Sequence, residues 1–137
     1  MRRIDKIIIH CSATKEGQYV DVETIRQWHL KRGFNNIGYH YVIYLDGSVH
    51  EGRPLEYAGA HCKGQNAYSV GICYIGGLDK NLNPKDTRTA DQEASLVKLI
   101  KVLKERFPGV SVHGHNEFGS KECPCFDVQK WRKEVGL

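Results

Sequence analysis

The chain has 137 residues, the size of one ordinary domain and enough to bury a core without staples. With 40% apolar residues it falls outside the disordered class, and a net charge of +4 from 20 basic and 16 acidic side chains falls short of a nucleic-acid footprint. The basic residues form no run of five, and five cysteines cannot all pair with one another.

The opening "MRRIDKIIIHCSAT" carries two arginines and a short apolar run, interrupted by Asp5 and Lys6 and too short for a signal peptide. No segment approaches a membrane span. Synthesis and folding in the cytosol are therefore expected, with thiols free, buried or metal-bound. "KIIIHCS" reads as a buried strand. Asp21 is placed to cap a helix through "VETIRQWHLKR", which Gly33 ends. "YHYVIYLDGSVHEG" reads as a hairpin turning at Asp46-Gly47. "YSVGICYIGG" is a further strand. Thr89 and Gln92 form a capping box. The helix after it has an apolar stripe of Leu96, Leu99, Ile100, Leu103 and Phe107, and Pro108-Gly109 stops it. "VSVHGH" is one more strand, and Asp127 caps a last helix, "VQKWRKEVG". The alternation predicts an α/β (α+β) domain over 1–137, with a single mixed central sheet flanked by helices.

The segment "HGHNEFGSKECPCFD" concentrates two histidines and two cysteines. Catalytic zinc takes three protein ligands and leaves a position for water, and His and Cys suit it. His10 lies at the carboxyl end of the first strand, where sheet proteins open their sites. Strand alternation turns Cys11 away from any site that His10 faces. Alternation does not choose between His113 and His115, and spacing does not choose between Cys123 and Cys125. Cys62 and Cys73 read as inert buried thiols.

Several stretches together resemble a known family. "IIIHCSATK", "IRQWH", "GYHYVIYLDGSVHEGR", "AHCKGQNAYSVGICYIGG" and "GHNEFGSKECPCFD" are similar, in order, to segments of the zinc-dependent N-acetylmuramoyl-L-alanine amidases of the phage-lysozyme type. Their fold is that of the peptidoglycan recognition proteins. The resemblance implies one zinc ion per chain, held by His10, His115 and Cys123, with Tyr39 and Lys121 as catalytic residues. It implies hydrolysis of the amide between N-acetylmuramic acid and L-alanine, through metal-activated water and a stabilised oxyanion. His61 matches a position near the mouth of the family's site and is carried as a substrate-binding residue. His29 and His40 are expected to be packed, His50 solvated, and Glu117 and Glu122 solvated rather than acting as the general base. Cys125 is expected beside the ligands rather than among them.

The implied partner is peptidoglycan or a muropeptide, met by a monomer. Phage-type relatives can carry a second role, so the resemblance leaves a polymerase partner open. A lytic role at the cell wall after release and a recycling role on cytosolic muropeptides are both compatible with it. Two rivals stand beside the enzyme: a peptidoglycan-binding module without turnover, and a zinc-stabilised interaction protein. The intact set of His10, Tyr39, His115, Lys121 and Cys123 favours the enzyme.

Overall fold

A computed structural model describes residues 1–137. Its strands are β1 (Lys6–Cys11), β2 (Thr14–Lys15), β3 (Tyr41–Ile43), β4 (Val49–Glu51), β5 (Ser69–Tyr74), β6 (Gly77–Leu78) and β7 (Ser111–Gly114). Its helices are α1 (Val22–Lys31), α2 (Ala90–Arg106) and α3 (Val128–Glu134), with 3-10 turns at Asn66–Tyr68 and His115–Glu117. The five-stranded sheet runs β4-β3-β5-β1-β7, parallel except for the antiparallel hairpin β3-β4, while β2 and β6 form a small separate pair.

The helix ends follow their sequence signals. The Asp21 carboxylate accepts the Thr24 N–H at 2.8 Å. Thr89 and Gln92 make the reciprocal capping box, which satisfies two of the backbone donors that a helix N-terminus leaves free. Asp127 accepts the Lys130 N–H at 3.1 Å.

β1 lies between two parallel neighbours in a sheet with packed layers on both faces, and Ile7, Ile8 and Ile9 are fully buried. That is the physical reason for a continuous β-branched run. One face joins Ile7, Ile9, Cys11, Val70, Ile72 and Tyr74 to Leu96, Ile100 and Leu103 of α2 and to Trp131 of α3. Each buried aliphatic side chain here contributes about 1.5–3 kcal/mol. Leu99 and Phe107 of the predicted stripe are only partly buried against this core. On the opposite face Val42 packs with Ile25 of α1, Ile37 and Ile75. In register, His10 stands beside Cys73 and Cys73 beside Val42. Alternation therefore puts His10 on the α1 face, near the carboxyl end of β1.

Two expectations need correction. His115 does not end a strand: β7 stops at Gly114, and His115 opens the 3-10 turn that follows. That turn redirects the chain and frees the ring from strand alternation. His50 is not simply solvated, since its ring stacks on Tyr44 with centroids 3.7 Å apart.

Candidate metal centre

β1, the turn after β7 and the loop before α3 meet at one point. The ligand atoms of His10, His115 and Cys123 all lie within 4.8 Å of one another. Cys123 Sγ is 3.9 Å from His10 Nδ1, and the His10 and His115 ring centroids are 4.6 Å apart. A tetrahedral zinc site with ordinary Zn–N and Zn–S bonds has ligand edges of roughly 3.5 Å. The spacing of this trio therefore fits such an ion. The Cys11 N–H donates to Cys123 Sγ at 3.2 Å, which holds the sulfur in place beside His10. Burial, the neighbouring His61 and His115, and the Lys121 ammonium hold His10 well below the usual imidazole range. Burial and Lys121 lower His115 in the same direction. Both rings are thus neutral and offer lone pairs, as ligation requires.

The choices that spacing left open divide clearly in the structure. His113 is engaged elsewhere: its Nδ1 faces Glu117 at 3.0 Å and its Nε2 faces Ser111 Oγ at 2.7 Å. Cys125 Sγ lies 3.3 Å from the Gly77 carbonyl and 4.0 Å from Cys11 Sγ. Burial first, then Cys11, raises the Cys125 thiol to about 12. Cys11 is buried in the core, as alternation required, and its thiol is pushed up, first by its hydrogen bond to Cys123 and then by burial. Cys62 and Cys73 are buried too.

Tyr39 sits against this cluster, with its ring 5.1 Å from that of His10. Burial, with the thiols of Cys73, Cys123 and Cys11 behind it, pushes its phenol well above the ordinary value, so the hydroxyl keeps its proton. A pocket of about 520 Å³ opens over the site and is lined by His10, Tyr39, His61, His115 and Lys121 among others. Its lining holds three cations, Arg32, Lys63 and Lys121, and no carboxylate. Such a wall attracts anionic groups.

His61 lies deeper than a mouth position suggests. It is 9% exposed, and its ring faces His10 on one side and Ser69 on the other. Nothing in the spacing of the sequence announces that contact across 51 residues. His29 and His40 are packed, as expected: His29 Nδ1 accepts the Gly38 N–H at 2.8 Å, and His40 Nδ1 accepts the Gly71 N–H at 3.0 Å. Glu117 is not merely solvated. It accepts the Gly114 N–H and a Gln129 amide hydrogen, and so braces the turn that carries His115.

Comparison with known proteins gives a consistent picture. The sequence model of the N-acetylmuramoyl-L-alanine amidase family matches residues 1–126. The endolysin of Escherichia phage T7 is 41% identical over 127 residues, covering 93% of this chain and 84% of that protein. The endolysin of Klebsiella phage KP32 is 41% identical over 126 residues, covering 92% and 83%. Among solved structures, the N-acetylmuramoyl-L-alanine amidase LysC from Clostridium intestinale URNW matches with a TM-score of 0.84 at 25% identity, over 99% of this chain and 87% of that one. PGRP-SA of Apis mellifera matches with a TM-score of 0.80 at 27% identity, over 97% and 83%.

Proposed function

The chain belongs to the N-acetylmuramoyl-L-alanine amidase family and hydrolyses the amide bond of peptidoglycan, and we propose that it does so with one zinc ion held by His10, His115 and Cys123. The bond cut joins the lactyl group of N-acetylmuramic acid to the L-alanine of the stem peptide. The observation that carries this reading is the convergence of the ligand atoms of His10, His115 and Cys123 within 4.8 Å, beside a pocket lined by His10, His115, Tyr39 and Lys121.

Zinc bound there supplies a water acidified toward neutrality and a Lewis acid for the scissile carbonyl. The chain's own residues do the rest. The Tyr39 hydroxyl, held protonated by burial, donates a hydrogen bond to the oxygen that gains negative charge. The Lys121 ammonium lines the same pocket and stabilises that charge. It also offsets the electron density that a thiolate brings to the site. Arg32 and Lys63 add positive potential where stem-peptide carboxylates would lie. None of the lining residues is an Asp or Glu, which leaves Tyr39, the histidines that do not face the ion, Lys121 and water as the groups able to move a proton there.

Digestion of purified peptidoglycan tests the reading. Zinc-dependent appearance of L-alanine amino groups without new reducing sugar ends is the expected result. Reducing ends would mean a glycosidase. Wall binding without either product would mean a binding module.

A further inference from the structure

The zinc reading requires His10 to present a bare Nδ1 toward Cys123. A neutral imidazole in isolation gives no guarantee of that, because its proton can sit on either nitrogen. Metal-bound histidines are usually held in one tautomer by a carboxylate or a backbone carbonyl on the far nitrogen. Neither touches His10 Nε2 in this fold. Its partner is His61 Nδ1, 2.8 Å away and buried.

We propose that His61 and Ser69 form a relay that fixes the His10 tautomer and orients the ring for metal binding, with the Gln65 carbonyl as its anchor. Ser69 Oγ is 2.7 Å from the Gln65 carbonyl oxygen, a group that can only accept. The hydroxyl has a single hydrogen, and that bond uses it. What remains toward His61 Nε2, 3.2 Å away, is an oxygen lone pair. His61 Nε2 therefore carries a proton and donates. In a neutral ring His61 Nδ1 is then bare and accepts the proton of His10 Nε2. His10 Nδ1 is left bare in turn, and it is the atom 3.9 Å from Cys123 Sγ. One backbone carbonyl thus sets the protonation pattern of two imidazoles in series.

The surroundings are built to hold this chain of bonds. Asn66 Oδ1 accepts the N–H groups of both His61 and Cys62 at 3.0 Å, which pins the loop that carries the ring. Two glycines open the slot for it. A Cβ on Gly71 would lie 2.6 Å from His61 Cγ, and one on Gly59 would lie 2.6 Å from His61 Cδ2. The adjacent His40 does not compete, because its Nδ1 takes the Gly71 N–H and its Nε2 faces the Tyr57 carbonyl at 2.8 Å. The choice of imidazole has a chemical consequence. It orients His10 without adding a carboxylate's negative charge beside Cys123, whose sulfur is anionic when it ligates a metal, so a bound metal would keep more of its Lewis acidity.

His61 is then a positioning residue that acts through His10. The inference rests on the zinc reading, and its test separates the two. Long-range proton–nitrogen correlation spectra of the zinc-free wild type, labelled in its imidazoles, report which nitrogen of each ring is protonated. Nε2–H on both His10 and His61 is expected, and Nδ1–H on His10 would overturn the relay.

Zinc dissociation constants, measured by competition with a chromophoric chelator, give the second readout. Ser69→Ala and His61→Leu are expected to weaken zinc by about 10–100-fold. His61→Gln, whose amide oxygen still accepts from His10 Nε2, is expected to recover most of that loss. Affinity unchanged in both Ser69→Ala and His61→Leu would also overturn the relay. A wild type that takes up no zinc would sink the metal reading, while the tautomer spectrum would still decide the relay.

Discussion

The Tyr74 hydroxyl donates to the Pro124 carbonyl at 2.6 Å in a fully buried contact. This bond ties the end of β5 to the residue after Cys123, so a core strand positions the thiol proposed as a metal ligand. Tyr74→Phe leaves the packing and strands a buried carbonyl. A loss of about 1–3 kcal/mol is expected in denaturant unfolding of the zinc-free protein. Weaker zinc binding should accompany it, because the ligand loop loses its tether to the sheet.

Cys123→Ser and His115→Ala should each remove stoichiometric zinc and lower amidase activity by more than about 100-fold. The neighbours that the sequence could not separate from them should behave differently. His113→Ala and Cys125→Ala should still bind one zinc per chain, since His113 faces Ser111 and Glu117 and Cys125 faces the Gly77 carbonyl. Metal analysis of the purified variants decides it. Loss of zinc in either of the last two would reassign the ligand set.

Tyr39→Phe and Lys121→Met test the roles given to the pocket wall. Each should lower kcat by about 100-fold or more, with zinc content and melting temperature little changed. A change confined to KM would make the residue a substrate contact rather than a partner of the developing charge.

Acid should destabilise the zinc-free protein within a defined window. Burial holds both His29 and His40 at about 4, against an unfolded value near 6.5. Above that value both folded and unfolded rings are neutral, and the stability is fully present. As pH falls from about 6.5 to about 4, the unfolded chain takes up protons that the folded chain refuses, and stability is lost. Each ring steepens the fall by at most about 1.4 kcal/mol per pH unit. Both Nδ1 atoms also accept backbone N–H bonds, from Gly38 and Gly71, which protonation at Nδ1 would break. Denaturant melts across this range should show the loss, and His29→Gln should flatten part of it.

Much of the architecture was legible because it follows local rules. The β-branched run of β1, the caps at Asp21, Thr89 and Asp127, and the stripe of α2 each reflect backbone chemistry or burial over a few residues. Alternation in β1 also separated His10 from Cys11 correctly. The two-residue pair β2-β6 was not legible, because strands that short carry no periodicity. The turn at His115–Glu117 was missed as well, since the local bond from Gly114 to Glu117 is backed by a longer-range one from Gln129.

The sequence by itself determined the fold class, the family resemblance and the residue types suited to a zinc amidase, because periodicity, capping and ordered motifs are written in neighbouring residues. Only the tertiary structure decided which of the paired histidines and cysteines converge, and that His61 is turned onto His10 rather than out to solvent. Those outcomes depend on where β1, the turn after β7 and two loops meet in space, and on glycines that leave room for one ring. Distances between side chains 51 or 113 residues apart are set by the whole packed sheet, and no local pattern records them.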